Sequence, residues 1–167
     1  ELFGEKTTEE LKTALTSVRK ECKGLIIDLR DNTGGLLIAA KEICDMFLDD
    51  GEIVSTRGRN DRIDQRYTAQ PGTEIDNSVP IVILINEHSA SASEVVAGCM
   101  QDRCRATIVG DRSFGKGSVQ NVIPLDAGLA AMRLTTAYYY PPSGRLIHRE
   151  PNAKPEDVWG VSPDEGC

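Results

Sequence analysis

The sequence predicts an α/β protein in which helices cover a mostly parallel sheet and β-hairpins extend the structure. Two units support this prediction, because in each an apolar strand pattern passes through a short polar turn into a helical pattern. The first unit spans residues 25–48, and the second begins at residue 81. Units of this kind assemble into parallel sheets, since each helix carries the chain back to the start of the next strand.

Composition limits the classes of protein that this chain can represent. Its 167 residues suffice for one domain with a core, and 40% apolar and 27% charged residues are typical of a soluble globular protein. The net charge of −7 argues against nucleic acid or an anionic membrane surface as the main partner. Five scattered cysteines and only two histidines do not favour a zinc site, so we expect no metal ion.

The first predicted helix covers residues 7–23, with Thr7 and Glu10 as a capping box and Gly24 at its end. Residues 25–30 follow as an apolar strand that we expect to be buried on both faces. This strand leads through the D-N-T-G-G turn into the helix that completes the first unit.

A polar hairpin comes next, with strands at residues 53–59 and 62–69 that turn at Asn60 and Asp61. Its polarity indicates a position at the edge of a sheet. Residues 81–85, which are all Ile, Val or Leu, form the second strand that we expect to be buried on both faces. A helical pattern begins by Glu94, and three further strands follow at residues 106–110, 119–125 and 129–140.

Residues 149–167 lack any regular pattern and carry an excess of acidic side chains. We expect an irregular surface tail that Trp159 holds in place. The predicted organisation is therefore a core domain over residues 1–148 and a tail over residues 149–167.

Three serines crowd the turn between the second apolar strand and its helix: Ser89, Ser91 and Ser93. In an open α/β sheet, sites lie where the carboxyl end of a strand meets the start of a helix. A hydroxyl there lies beside free backbone N–H groups that can stabilise an oxyanion, which suggests acyl transfer. Capping of the helix is the commoner use of a serine at this position, and the pattern alone does not distinguish the three serines.

Two other turns carry residues suited to the same chemistry. Gly34 and Gly35 follow the first apolar strand, where glycines let backbone N–H groups approach a developing negative charge. Lys116 lies between glycines and can act as a general base if burial keeps its amine neutral, and the carbonyl oxygen of Gln120 is placed to hold that amine. His88 lies in the same turn as the serines, where a triad base is seldom aimed at its nucleophile.

Four segments together resemble the carboxyl-terminal processing (tail-specific) serine proteases. They are L-I-I-D-L-R-D-N-T-G-G-L-L, N-E-H-S-A-S-A-S-E, G-D-R-S-F-G-K-G-S-V-Q and the Y-x-x-P-x-G-R-x-I pattern within residues 138–147. The resemblance implies a crotonase/ClpP-like α/β fold and a serine–lysine dyad that needs neither a metal nor an organic cofactor. It assigns Ser91 as the nucleophile, Lys116 as the base and Gln120 as the residue that positions the lysine. The N–H groups of Ala92 and of Gly34 or Gly35 correspond to the oxyanion hole.

The resemblance also implies partners and a location. Proteins or peptides with accessible carboxyl termini are the expected substrates, outside the cytoplasm. The family's PDZ domain and amino-terminal signal are not recognisable in residues 1–167, and the first strands of the core are reduced to E-L-F, so we expect a longer protein that can form homo-oligomers. Three alternatives remain: a crotonase-like acyl-CoA enzyme, a non-catalytic binding relative, and a Ser–His–Asp hydrolase that uses His88 or His148.

Overall fold

The computed structural model describes residues 2–125 and 129–165. In this part of the chain, seven strands form two sheets. The first is parallel, with strand order β1-β4-β5, and consists of β1 (Leu25–Asp28), β4 (Ile81–Ile85) and β5 (Thr107–Gly110). The second is antiparallel, with order β3-β2-β7-β6, and consists of β2 (Glu52–Arg57), β3 (Ile63–Thr68), β6 (Ser118–Leu125) and β7 (Ala130–Tyr140). The predicted α/β class, with a parallel sheet and hairpins, is confirmed.

Three α-helices accompany the sheets in the described residues: α1 (Thr7–Val18), α2 (Leu37–Asp45) and α3 (Ala92–Asp102). Helices α2 and α3 pack against each other, and their buried side chains join those of β4 in one hydrophobic core. None of these helices is long and apolar enough to cross a membrane.

The expectation that β1 and β4 are buried on both faces is wrong. Along β4, Ile81, Ile83 and Ile85 are buried, whereas the two residues between them are only half-buried. On β1, Ile26 is 68% exposed. Side chains alternate between the two faces of a strand, so this pattern means that the described core covers one face of the parallel sheet and leaves the other open.

Helix α1 begins at Thr7 as predicted, but it ends at Val18 and the predicted capping box is absent. The N-cap residue is Lys6, and the Thr7 hydroxyl instead accepts the N–H of Gly4 and donates to the carbonyl of Leu2. Leu15 is the one buried residue of this helix, and Val18 is 46% exposed. Leu11 is partly buried against the core, so the helix contacts the core over a single turn, at Leu11 and Leu15.

The predicted hairpin is present, and the last two predicted strands also form an antiparallel pair. Strands β2 and β3 pair on either side of Asn60 and Asp61, which both have positive φ angles. Within this hairpin β3 lies at an edge of the sheet and β2 does not, because β2 also pairs with β7. Strand β6 pairs with β7 over its whole length, from Ser118 with Tyr138 to Leu125 with Ala130, and residues 126–128 lie outside the described residues.

The last part of the chain is irregular as predicted, but it is not confined to the surface. Gly160 and Val161 are buried. The segment also bonds to β5, since the Asp164 N–H donates to the Ile108 carbonyl and the Asp164 carboxylate accepts the Ile108 N–H. Glycine at position 160 has φ of 64° and lies directly against Ser113, which brings this segment next to the loop that carries Lys116.

Candidate active site

Ser91 lies at the N-cap of α3 in a conformation that few residues adopt. Its φ is 57° and its ψ is −116°. A non-glycine residue in such a region is strained, and the strain persists only where the surrounding structure holds it. Here the turn between β4 and α3 presents Ser91 beside the N–H of Ala92, the first residue of the helix.

The three serines of this turn have different environments. The Ser89 hydroxyl donates to the Leu29 carbonyl at 2.8 Å, and the Ser93 hydroxyl donates to the Asn32 carbonyl at 2.9 Å. Both serines are fully buried, whereas Ser91 between them is half-buried. Ser89 and Ser93 therefore tie the turn to the end of β1 and the loop that follows it, and Ser91 is the serine with access to a ligand.

Gly34 packs directly against the start of α3. A Cβ atom at this position would lie 2.8 Å from Ser91 Cβ and 2.8 Å from the Ala92 nitrogen, and the φ of Gly34 is +97°. Only glycine combines this backbone angle with so close an approach. The Gly34 N–H itself donates to Asn32 Oδ1 at 3.0 Å, so it is already committed.

The N–H group of Gly35, unlike that of Gly34, donates no hydrogen bond to a described residue. Phe3 bonds to the two neighbours of Gly35, donating to the Gly34 carbonyl at 3.0 Å and accepting the Leu36 N–H at 2.8 Å. In such a parallel bridge, the peptide groups of the central residue point away from the partner strand. Among the described residues, neither the Gly35 N–H nor the Ala92 N–H has a hydrogen-bond acceptor.

Glu94 connects the serine turn to the loop that carries Lys116. It is 1% exposed, and its Oε2 atom accepts the backbone N–H groups of Ser91 and Lys116, both at 2.8 Å. Its Oε1 atom accepts the Gly115 N–H at 2.6 Å and the Ser113 hydroxyl at 2.5 Å. Burial raises the pKa of Glu94 above its ordinary value, although these four hydrogen bonds act in the opposite direction.

The interpretation of the sequence did not single out Glu94. Its position three residues after Ser91, before an apolar run, is the spacing of a capping box, and that signal was available. The capping pattern indicates the bond from the Ser91 N–H to the carboxylate. It does not indicate the three donors from residues 113–116, because these come from a distant part of the chain.

Lys116 lines a cleft of about 430 Å³ together with Asp31, Thr33, His88, Ala90 and Phe114. Its side chain is exposed, and none of the described residues forms a hydrogen bond or ion pair with its amine. The described residues therefore do not provide the burial that would keep this amine neutral. The backbone of Lys116, in contrast, is held by Glu94.

Gln120 does not contact Lys116 through a hydrogen bond. It lies exposed on β6, beside a β-bulge, opposite Thr135 of β7. The structure thus brings together Ser91, Ala92, Gly34 and Gly35, and joins the backbone of Lys116 to them through Glu94. It leaves the side chain of Gln120 apart.

Neither histidine is arranged as a triad base. His88 is exposed at the cleft and lies 3.7 Å from a Glu87 carboxylate oxygen. The His148 ring contacts the Tyr138 ring, with 4.9 Å between the centroids and 40° between the ring planes, and its Nδ1 atom is buried without a partner among the described residues. In residues 2–125 and 129–165, no group of three or more His, Cys, Asp or Glu side chains could hold a metal ion.

Comparisons with known proteins agree with the family resemblance that the sequence motifs showed. The family model described as peptidase family S41 matches residues 1–166. A carboxy-terminal-processing protease of Bartonella bacilliformis is 51% identical over 150 residues, which are 87% of this chain and 34% of that protein. A chloroplastic C-terminal processing peptidase of Tetradesmus obliquus is 36% identical over 95% of this chain and 36% of its own length.

The solved structure of a photosystem II D1 C-terminal processing protease has the same fold. Its TM-score is 0.87 at 36% identity, over 98% of this chain and 39% of that protein. This match agrees with the crotonase/ClpP-like core that the motifs imply. The chain spans about a third of the length of the relatives that it matches.

Proposed function

Since this chain belongs to peptidase family S41, we propose that it is the catalytic region of a serine endopeptidase that cleaves proteins near their carboxyl termini. The observation that carries the proposal is the shared carboxylate of Glu94, which holds the backbones of Ser91 and Lys116 at one place. Ala92 and Gly35 provide two N–H donors without partners among the described residues, and Gly34, the neighbour of Gly35, packs against the Ala92 nitrogen. A nucleophile, a base and an oxyanion hole are the parts that acyl transfer requires.

The proposed reaction begins when the neutral amine of Lys116 removes the proton from Ser91 Oγ as this oxygen attacks the peptide carbonyl carbon. The carbonyl oxygen becomes an oxyanion, which the N–H groups of Ala92 and Gly35 stabilise. The C–N bond then breaks, and the Lys116 ammonium gives its proton to the leaving amine. Water, deprotonated by Lys116, attacks the acyl ester, and Ser91 Oγ leaves with that proton.

The exposed side chain of Lys116 sets a condition on this mechanism. A lysine amine acts as a base only where its charged form is disfavoured, and exposure to water does not provide this. We propose that a substrate in the cleft, or another part of the longer protein, covers Lys116. Gln120 would then hold the amine only in the covered state.

The substrates, partners and location belong to the whole protein. The names of relatives called carboxyl-terminal-processing proteases support protein substrates that are cut near their carboxyl termini. We propose that a PDZ domain elsewhere in the longer protein recognises these termini, as the resemblance of the motifs implies. We propose action outside the cytoplasm, as the resemblance of the motifs implies, and one relative is named as a chloroplastic peptidase. Assembly into homo-oligomers is part of the same proposal.

A second candidate is a binding protein or an acyl-CoA enzyme on the same fold. An oxyanion hole serves both peptide and thioester carbonyls, so the donors from Ala92 and Gly35 do not separate them. The half-buried Ser91 favours the peptidase over the acyl-CoA enzyme, because a crotonase-like acyl-CoA enzyme has no need of a serine nucleophile.

Hydrolysis of an unstructured peptide by the complete protein tests the proposal. Ser91→Ala and Lys116→Ala should each abolish cleavage, and a serine-directed phosphonate should label the protein at Ser91 alone. His88→Ala is the matched control from the same cleft and should retain most activity, as should treatment with a chelator. Full activity of Lys116→Ala, or equal loss in His88→Ala, would refute the dyad.

A further inference from the structure

We propose that Trp159 is a positioning residue for Lys116, acting through the loop at residues 111–117, which we call the lysine loop. Trp159 belongs to residues 149–161, which we call the clamp segment. This inference rests on the proposed function, because it concerns the base of that reaction. It assigns a role in the site to a part of the chain whose sequence indicated only a surface tail.

The first argument concerns the side chain of Lys116. Its amine has no hydrogen-bond or ion-pair partner among the described residues, so its location depends on where the backbone of the lysine loop lies. Glu94 holds one side of that backbone through the N–H groups of Gly115 and Lys116. The other side of the loop needs a second support.

The clamp segment contacts this other side. The Gly115 carbonyl accepts the Arg149 N–H at 2.8 Å. A Cβ atom at Gly115 would lie 2.7 Å from Arg149 Cβ and 3.0 Å from Trp159 Cε3, so the residue before Lys116 packs directly on the indole. Gly115 has φ of +87°, a conformation that glycine adopts at no steric cost.

Two cations hold the indole in place. The guanidinium carbon of Arg112 lies 4.7 Å from the centre of the Trp159 ring, and that of Arg149 lies 4.4 Å from it. Guanidinium groups over an indole face are attracted by the ring quadrupole. Arg112 also donates to the carbonyls of Pro155 and Asp157, at 3.1 and 3.2 Å. Contacts to the Trp159 ring therefore hold the lysine loop and the clamp segment together.

Ser113 links the clamp segment to Glu94 through hydrogen bonds. Its N–H donates to the Val161 carbonyl at 3.0 Å, and its hydroxyl accepts the Val161 N–H at 2.8 Å. The same hydroxyl donates to Glu94 Oε1 at 2.5 Å. The clamp segment therefore reaches the carboxylate that holds Ser91 and Lys116, by way of one buried serine.

The indole nitrogen allows a clean test. Trp159 Nε1 is buried and has no hydrogen-bond partner among the described residues, so the ring contributes packing and cation–π contact only. Phenylalanine keeps an aromatic ring next to Arg112 and Arg149 and removes no hydrogen bond, whereas alanine removes the ring. Asp164→Ala is the control, because Asp164 anchors the same end of the chain to β5 and to Gln101 without touching the lysine loop.

The experiment compares Trp159→Ala, Trp159→Phe and Asp164→Ala in the complete protein. We measure kcat and KM on an unstructured peptide, thermal unfolding, and hydrogen exchange at the Gly115 and Lys116 amides. Because small displacements of reacting groups are costly, Trp159→Ala should lower kcat about tenfold or more at nearly constant KM. It should also speed exchange at both amides, and Trp159→Phe should restore both values. Asp164→Ala should lower the unfolding temperature but leave kcat and this exchange unchanged.

Two results would overturn the inference. One is unchanged exchange at Gly115 and Lys116 in Trp159→Ala. The other is a loss of kcat that follows the unfolding temperature equally in Trp159→Ala and Asp164→Ala. A wild-type protein without peptidase activity would refute the proposed function instead, and amide exchange would then decide the positioning role by itself.

Discussion

Ser91 and Lys116 share one hydrogen-bond acceptor: the backbone N–H of each donates to Oε2 of Glu94 at 2.8 Å. The two residues come from different loops, and no direct bond between their side chains is needed to place them together. Both carboxylate oxygens of the buried Glu94 accept hydrogen bonds. Because the N–H groups of Ser91 and Lys116 both point at Oε2, this carboxylate sets the distance between the backbones of the two residues.

Glu94→Gln should abolish peptide hydrolysis and lower the free energy of unfolding. The amide presents a donor to groups that are themselves donors, so at least one buried N–H or O–H loses its acceptor, at about 1–3 kcal/mol. Urea unfolding and peptide cleavage measure the two effects. Glu87→Gln, at an exposed position beside His88, is the control and should change neither. An active, stable Glu94→Gln would contradict the shared-acceptor argument.

The three serines should separate into two groups. Ser89→Ala and Ser93→Ala each remove a hydroxyl that donates to a backbone carbonyl, of Leu29 and Asn32, and should lower the free energy of unfolding by about 0.5–1.5 kcal/mol. Ser91→Ala should cost less stability than either and should remove all activity. The check is a denaturation curve and an initial rate for each variant. If Ser91→Ala were the most destabilised and still active, Ser91 would be a structural cap.

Gly34→Ala tests the proposed oxyanion hole, and Gly72→Ala is its matched control. Both have φ near +100°, at +97° and +111°, but a Cβ at Gly34 would lie 2.6 Å from the Ala90 carbonyl oxygen, whereas a Cβ at Gly72 meets nothing within 4 Å. Gly72→Ala should therefore cost only the strain of a left-handed residue, about 1–2 kcal/mol, and leave activity intact. Gly34→Ala should cost more and abolish cleavage. Equal effects on stability and rate would rule out a special role for Gly34.

The carboxyl group of Asp28 should titrate at unusually low pH. Its side-chain and backbone hydrogen bonds with Arg30 lower its pKa from 3.8 to about 2. A lowered pKa means that the ion pair stabilises the fold above pH 3.8 and that this contribution is lost as pH falls toward 2. The contribution is small, because both side chains are about half exposed.

An NMR titration of the Asp28 carboxyl in wild type and in Arg30→Ala measures this shift. The variant should titrate near 3.8. Arg66→Ala removes a different exposed ion pair, with Glu52 at 2.9 Å, and should leave Asp28 unchanged. A wild-type titration near the ordinary value would show that the pair with Arg30 does not persist in solution.

Much of the fold follows from local patterns. The apolar run at residues 81–85 and the turn residues Asn60 and Asp61 act on their immediate neighbours, so strand and hairpin positions could be predicted. The resemblance to processing proteases also rests on short ordered motifs, and the family match confirms it. The wrong expectations for β1 and β4 arose because an apolar strand shows which residues avoid water, but not whether a second layer covers them.

What the sequence by itself determined was the order of elements, the family and the residue types at the site. Only the tertiary structure decided which serine is available, because the acceptors of Ser89 and Ser93 lie on β1 and its loop, some sixty residues earlier in the chain. It also placed four donors around Glu94, left Lys116 exposed and brought Trp159 against Gly115. The physical reason is the range of the interactions: helix and turn preferences act over a few residues, whereas buried polar groups are satisfied by partners that meet only after the chain has folded.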